Sequence, residues 1–384
     1  MNLRRLIGTI VLAIGLVGGL PGKASAENIR PISDKSPVLI YFPLVTRGPL
    51  HNPIHAVRVQ YKDYQNSRSE LPSMLDHLTK VGANMIGLSA GRVEWAYFKW
   101  NTHPEYWSSE VRDTGLDILA EDSNQYSKFG HIDAVIDVLS PSYISAHPNT
   151  GAINIFGQRS QLLVGTMELV EGDYGKLLMN MVEYIAANYP KVNSISITEL
   201  SYRLDGYGPL EKASYLAYTG RTDWPYQTNG LIDIDDPSIG NWRSHLLQGY
   251  LNKLADIAHS YGKQLFFDVS LSWNNLQNAG NEFGTRYDLM LERIDKLVVW
   301  GYCYLENIPP EFLETAARFL QRYGTGRVIM SIGLWGPNNT IMPADLLQRG
   351  VLASDKGGLS DLWITPSVMM DESMWQALAT AWGN

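Results

Sequence analysis

Short apolar runs alternate with segments of helical periodicity along most of this chain. Strands predicted from the apolar runs cover residues 55–61, 84–89, 132–139, 194–200, 264–270, 296–302, 327–334 and 361–365. Near-continuous apolar runs are typical of parallel strands that are buried on both faces. Eight strands that alternate with helices predict an α/β fold, a single (β/α)8 TIM-type barrel with long loops after the strands. An open doubly wound sheet ranks below it, because no Gly-rich nucleotide-binding turn follows a strand.

Helical periodicity is clearest between residues 174 and 189, where Leu178, Met181 and Ile185 share one face and Pro190 follows. The other predicted helices cover residues 69–81, 116–129, 243–261, 287–294, 310–323, 344–353 and 371–382. Residues 201–239 are predicted to form a long loop that serves as a lid, a subsite wall or a partner surface. The apolar run 38–42 is expected to cap the bottom of the barrel or to add an edge strand.

The first 26 residues have the pattern of a secretory signal peptide. Arg4 and Arg5 precede an apolar stretch, residues 6–20, that is too short and too rich in glycine for a typical membrane span, and residues 24–26 read Ala-Ser-Ala, an A-x-A cleavage site. We therefore expect a mature protein of residues 27–384 that forms one barrel domain. It would be secreted or periplasmic, with no integral membrane span after signal removal. The alternative is an uncleaved N-terminal anchor.

Composition narrows the choice of partners. Removal of Arg4, Arg5 and Lys23 with the signal lowers the basic count from 31 to 28 against 39 acidic residues, a net charge of −11. An acidic chain without a Lys/Arg cluster is a poor candidate for binding nucleic acid or an anionic membrane. The one cysteine, Cys303, allows no internal disulfide and is predicted to be a small buried side chain. The 11 Trp and 21 Tyr suit a carbohydrate ligand, because their flat faces match the apolar faces of sugar rings.

Two carboxylates are the leading catalytic candidates, because a barrel places its active site at the carboxyl ends of the strands. Glycoside cleavage needs one acid that protonates the leaving oxygen and a second group that acts as nucleophile or activates water. Glu199 ends an apolar strand, where desolvation would raise its pKa toward that of a useful acid. The alternative is a structural ion pair with Arg203 or with another arginine at the top of the barrel. Asp268 is a candidate for the same reason, because it lies near the end of the next apolar strand, residues 264–270. The alternative is that it only supports the site through a hydrogen bond.

Further side chains at the strand ends complete the candidate site. Asp205 is a candidate second carboxylate or orienting group, although a solvated position is the default for a loop residue. Asp137 is assigned to substrate binding, with a place in a buried layer of the barrel as the alternative. The aromatic residues expected to line the sugar subsites are Tyr302, Trp273, Trp335, Trp95 and Tyr143. We expect no metal and no cofactor, because the spacing of His51, His55 and Asp63 matches no known metal site and no G-x-S-x-G motif is present.

Four segments carry a resemblance to a known family. They are residues 115–119 with the stretch from 130 to 148, residues 198–200, residues 241–243 and residues 300–304. They resemble motifs of a bacterial glycosyl-hydrolase-like (β/α)8 barrel family, the extracellular glycosidases of the YngK type. In strand four that family has an Asp-Asp-Tyr run, where this chain has Thr198, Glu199 and Leu200. The resemblance therefore implies a carbohydrate-active barrel in which Glu199 alone keeps the strand-four carboxylate.

Chitinase-like barrels offer a second resemblance. They place a lone Glu at the end of strand four and a Tyr at the end of strand six, and the N-acetyl group of the substrate serves as nucleophile. Glu199 and Tyr302 are similar in placement, which implies that no second catalytic carboxylate is needed. The acidic residues that precede the Glu in those barrels are missing here.

These observations favour an exported glycoside hydrolase that acts on an extracellular or cell-envelope polysaccharide, with Glu199 as general acid. The alternative is a non-catalytic barrel that binds a glycan or takes part in polysaccharide secretion.

Overall fold

Eight parallel strands close into a barrel. A computed structural model describes residues 52–60 and 67–383. The barrel strands are β1 His55–Val59, β2 Met85–Arg92, β3 His131–Asp137, β4 Ser194–Thr198, β5 Gln264–Ser270, β6 Lys296–Trp300, β7 Val328–Gly333 and β8 Leu362–Thr365. Each strand pairs in parallel with the next, and β8 pairs with β1. The predicted (β/α)8 barrel is confirmed. The signal peptide, the run 38–42, His51 and Asp63 lie outside the described residues.

A helix follows each strand and covers the outside of the barrel. These helices are α1 Ser67–Lys80, α2 Ile118–Tyr126, α3 Asp173–Asn188, α4 Pro237–Ser260, α5 Tyr287–Met290, α6 Phe312–Leu320, α7 Ala344–Lys356 and α8 Glu372–Ala381. Additional helices lie in the loops at Ser109–Thr114, Pro141–Ala146, Thr166–Val170 and Pro209–Thr219. In the described part of the chain, no helix combines the length and the apolar character needed to cross a membrane.

Several predicted boundaries were wrong. The fourth strand ends at Thr198 instead of residue 200, because Glu199 has a left-handed backbone with a φ of 67°. The sixth strand ends at Trp300 instead of residue 302. The helix predicted to start at Pro310 begins at Phe312. The backbone N–H groups of Phe312 and Leu313 donate to the carbonyls of Pro309 and Pro310, which forms a turn before the helix.

The segment 201–239 is not the predicted loop without secondary structure. It contains the helix Pro209–Thr219, and α4 begins at Pro237, six residues earlier than predicted, with Asp236 as its N-cap. An antiparallel hairpin of Gly151–Ile153 and Arg159–Val164, which was not predicted, packs nearby. These elements share a separate small apolar core formed by Tyr207, Tyr215, Trp224, Ile239 and Trp242. The segment 201–239 therefore has secondary structure and a small apolar core of its own.

Side chains alternate between the two faces of the barrel wall. One face packs against the helices in the main core, as Ile195 and Ile197 of β4 do. The other face fills the barrel with an apolar layer of Ala56, Met85, Val135, Phe266, Val298, Ile329 and Trp363. Gly87 makes room for this layer, because a Cβ there would lie 2.3 Å from the Trp363 ring. Cys303 is buried, as predicted, and burial raises the pKa of its thiol to about 11.

Asp133 is a carboxyl group enclosed in the barrel interior, and its side chain is fully buried. Ser194 donates a short hydrogen bond to Oδ1, and the same hydroxyl oxygen lies 2.8 Å from Nε2 of His131. Oδ2 has no hydrogen-bond partner among the described residues. Burial raises the pKa of Asp133 from 3.8 to about 7, so the folded state favours the protonated form.

The burial of Asp133 is expected to lower the free energy of unfolding at high pH, and Asp133→Asn should remove this effect. Because the pKa is raised on folding, stability falls as the pH rises from about 4 to about 7, by an amount on the order of 4 kcal/mol. Asn has the shape of the neutral acid, so the variant is expected to be the more stable protein at pH 8 and equal to wild type near pH 4. Urea unfolding at both pH values measures this difference.

The exposed Asp113→Asn serves as the control and should change neither value by more than about 0.5 kcal/mol. A wild type that is more stable than Asp133→Asn at pH 8 would show that the fold uses the ionised carboxylate.

Candidate functional site

Glu199 lies at the mouth of the barrel, directly after β4. Its left-handed backbone conformation costs a non-glycine residue about 1–3 kcal/mol, and residues held in this way concentrate at functional sites. The side chain is partly exposed. Arg203 does not pair with it, because that guanidinium group lies next to Asp235 and Glu282 instead. The alternative of a structural ion pair between Glu199 and Arg203 was therefore wrong. Of the other arginines at this end of the barrel, Arg58 and Arg92 act on Glu199 through their charges.

The charges around Glu199 come from four different strands or strand ends. Burial, together with the negative charge of Asp137, raises the pKa of Glu199 to about 8. Asp268 acts in the same direction, whereas Arg58 and Arg92 oppose the rise. The balance favours the protonated acid at neutral pH, which is the form that a general acid needs before the reaction.

Asp137 is held by an arginine at the same mouth. Arg92 donates from Nε and Nη2 to Oδ2 of Asp137, at 2.9 and 2.7 Å, and Leu139 donates its backbone N–H to Oδ1 at 2.8 Å. Only 10% and 18% of the two side chains are exposed. The alternative considered for Asp137 was a place in a buried layer of the barrel. Asp133, four residues earlier in β3, occupies such a place, whereas Asp137 lies at the mouth. Asp137 is therefore a fixed negative charge beside Glu199.

Asp268 faces the same space from β5. Burial raises its pKa to about 6, although hydrogen bonds from Thr198 and Trp300 favour the charged form. The Trp300 indole donates from Nε1 to Oδ2 at 3.3 Å. The pKa of Asp268 is therefore lower than that of Glu199, so Asp268 is the first of the two to ionise as the pH rises. Neighbouring carboxyl groups with separated pKa values are the arrangement that acid and base roles require.

An aromatic wall stands next to Asp268, and we define it as Trp300, Tyr302 and Trp335. The Tyr302 ring stacks on Trp300, with centroids 5.5 Å apart and planes 13° apart, and contacts Trp335 at 5.4 Å. Burial raises the pKa of Tyr302 well above its usual value, so its hydroxyl stays protonated. Gly333 permits this packing, because a Cβ there would lie 2.6 Å from the Tyr302 ring.

The other predicted aromatic residues lie farther along the loops. Trp95 is partly exposed in a two-residue strand that pairs with the end of β2, and its ring contacts Tyr97. Trp273 is partly exposed after β5 and packs on Phe312. The ring contacts of Trp95 and Trp273 are thus with residues outside the aromatic wall.

Tyr143 is 7% exposed. Its hydroxyl donates to Glu168 at 2.9 Å, and its backbone N–H, with that of Ser142, donates to Glu94. These contacts give Tyr143 a packing role in the loop wall.

Asp205 is separated from the carboxyl cluster. Burial raises its pKa, and the charge that opposes the rise is Arg243. Arg243 is fully buried and donates to the carbonyls of Tyr202 and Asp205 at 2.9 Å each. The structure thus brings Glu199, Asp137 and Asp268 together, and it places Asp205 in the support of the loop that follows Glu199.

The sequence analysis selected neither arginine of this cluster, that is, neither Arg92, which holds Asp137, nor Arg58. Arg58 lies on β1, and its positive charge acts on Glu199, Asp268 and Tyr302. One signal was available, because Arg58 is a charged residue inside the apolar run Ala56–Val59 at a position that faces the barrel interior. No group of three or more His, Cys, Asp or Glu side chains within the described residues is placed to hold a metal ion.

Two of the cavities formed by the described residues lie outside this cluster. One of about 360 Å³ is at the amino ends of β5 and β6, lined by Gln264 and Lys296 among others. That is the end of a (β/α)8 barrel that does not carry the active site. The other, of about 240 Å³, lies at the mouth end between the loops that follow β4 and β5.

Comparison with known proteins identifies the fold. No family model matches this sequence, and no curated protein matches it. Among solved structures, the glycoside hydrolase domain of PgaB (BpsB) from Bordetella bronchiseptica is similar, with a TM-score of 0.65 and 14% identity over 86% of this chain and 99% of that one.

Two other carbohydrate-active enzymes share the architecture. The catalytic domain of β-amylase from Paenibacillus polymyxa matches with a TM-score of 0.55 and 13% identity, over 85% of this chain and 96% of that one. A chitinase from Chromobacterium violaceum matches with a TM-score of 0.52 and 8% identity, over 87% and 100%. At these identities the similarity establishes a barrel of the type that glycoside hydrolases use. The resemblance to the YngK-type family stays a prediction.

Proposed function

We propose that the protein is an exported glycoside hydrolase that cleaves an extracellular or cell-envelope polysaccharide. One observation carries the proposal: Glu199 and Asp268 share the mouth of the barrel, and their pKa values are raised to about 8 and about 6. Near pH 7 this arrangement provides one carboxylic acid and one carboxylate. Those are the two forms that hydrolysis of a glycosidic bond requires.

Glu199 acts as the general acid. It transfers its proton to the glycosidic oxygen as the bond from that oxygen to the anomeric carbon breaks, and the leaving sugar departs as an alcohol. Burial, and after it the negative charge of Asp137 that Arg92 holds in place, raise the pKa of Glu199 and so keep the acid protonated before the reaction.

Asp268 supplies the second carboxylate. It either attacks the anomeric carbon or takes a proton from the water that does so, and in both cases the positive charge that develops on the sugar is stabilised. The hydrogen bond from Trp300 orients this carboxylate. Tyr302 and Trp335, the partly exposed rings of the aromatic wall, provide the flat surfaces on which a sugar ring would pack.

Two further arguments support the assignment. The similar solved structures include proteins described as a glycoside hydrolase domain, a β-amylase and a chitinase. The N-terminal 26 residues have the pattern of an export signal, and a polysaccharide outside the cytoplasm is the substrate that an exported hydrolase would meet.

Release of new reducing ends tests the proposal. Purified protein would be incubated at pH 7 with chitin oligosaccharides, malto-oligosaccharides, peptidoglycan and extracted exopolysaccharide. We expect reducing ends to appear with at least one of these substrates. Binding of a glycan without any release of reducing ends would contradict the hydrolase and favour a non-catalytic glycan-binding barrel.

A further inference from the structure

A polar cleft opens beside the catalytic mouth, between the loop after β4, the start of α4 and the loop after β5. We call it the distal cleft, and its lining includes Arg203, Asp235, Asn274, Asn278, Asn281 and Glu282. Its volume of about 240 Å³ is below the range of roughly 300–1,000 Å³ that is typical of pockets for drug-sized ligands. The distal cleft therefore suits one small polar unit.

Two of the residues that line the distal cleft each carry a buried polar side-chain atom that is not satisfied. Nε of Arg203, a donor, and Oδ1 of Asn281, an acceptor, have no hydrogen-bond partner in the part of the chain that the structure describes. Buried polar atoms of native proteins are nearly always paired, so each such atom needs an explanation. A hydroxyl group can both donate and accept, so it can satisfy either of these atoms.

The charges in the distal cleft also leave hydrogen-bonding capacity. Arg203 lies 3.5 Å from Glu282 and 3.6 Å from Asp235, which is longer than a normal hydrogen bond of about 2.7–3.2 Å. The Glu282 side chain is only 9% exposed. Arg203 is one cation between two carboxylates, so these three groups carry a net negative charge that disfavours an anionic ligand. An uncharged hydroxylated ligand can accept a hydrogen bond from Arg203 and donate to the carboxylates.

We propose that the distal cleft binds one neutral sugar unit of the polysaccharide substrate, several units away from the bond that is cleaved. Arg203 is four residues beyond Glu199 in the same loop, and its charge also acts on Glu306 in the loop after β6. The cleft therefore lies at the same end of the barrel as Glu199. The inference rests on the proposed hydrolase function and adds to it a preference for long chains.

Chain-length dependence tests the proposal. Wild type, Asn281→Ala and Asn278→Trp would be compared on chito- and malto-oligosaccharides of two and six units. Asn281→Ala removes the unpaired acceptor, and Asn278→Trp fills the cleft from an exposed position. We expect both variants to lower kcat/KM about tenfold for the six-unit substrate, through KM, and less than about twofold for the two-unit substrate.

Asn124→Ala, an exposed position on α2, is the control and should behave as wild type. An equal loss on both chain lengths would indicate damage to the fold and overturn the subsite, as would no change in either variant. Calorimetric titration with the same oligosaccharides separates this proposal from the hydrolase. If wild type binds an oligosaccharide but does not hydrolyse it, and Asn281→Ala weakens that binding, the proposed subsite is supported and the hydrolase function is contradicted. No binding of any oligosaccharide would overturn both.

Discussion

Glu199→Gln is expected to lower kcat about 10²–10⁴-fold on a polysaccharide, the range that general acid catalysis supplies. Gln has nearly the shape of the protonated acid but cannot give up a proton, so glycan binding should be kept. The rate of reducing-end release and the affinity for the same glycan measure the two effects separately. Because the alcohol that leaves from a polysaccharide is a poor leaving group, the loss should be much smaller on an aryl glycoside whose leaving group needs no protonation.

The exposed Glu171→Gln is the matched control and should retain full activity. If Glu199→Gln kept more than a tenth of the wild-type rate on the polysaccharide, another group would have to be the acid. A loss of the same size on aryl glycosides would point to a structural role for Glu199, since proton donation matters least for those substrates.

The dependence of kcat/KM on pH should be bell-shaped, with a maximum near pH 7. Asp268 must be ionised, so activity falls as the pH drops through about 6; Glu199 must be protonated, so activity falls as the pH rises through about 8. Each limb should approach a tenfold change per pH unit. The two midpoints belong to the interacting cluster as a whole, because the charges of these groups act on each other.

Asp137→Asn tests the origin of the alkaline limb. The change removes the negative charge that raises the pKa of Glu199 and leaves the positive charge of Arg92 beside it. The alkaline midpoint should therefore move to lower pH, while the acidic midpoint is expected to move less. An alkaline limb that stayed at pH 8 would mean that a group other than Glu199 controls it.

The barrel itself could be predicted from local sequence patterns. The fifth strand was placed correctly at residues 264–270, and the other strand predictions differ from the structure by a few residues at their ends. Strands buried on both faces leave apolar runs that need no knowledge of their partners. The helix Pro209–Thr219 was missed, because its apolar side chains pack on the small core around Trp224 and not on the barrel. The hairpin was missed because its strands are short and partly exposed.

The position of Glu199 at the barrel mouth was also determined by the sequence, since every parallel strand ends at the same rim. Its electrostatic surroundings were not. Arg58, Asp137 and Asp268 are separated from Glu199 by 141, 62 and 69 residues, and closure of the barrel with a particular register is what brings them together. Local patterns report burial and periodicity, whereas the choice of charged partners depends on which strands become neighbours. Only the tertiary structure decided that Arg92 forms a salt bridge with Asp137. It also decided that Glu199 forms no salt bridge with an arginine among the described residues.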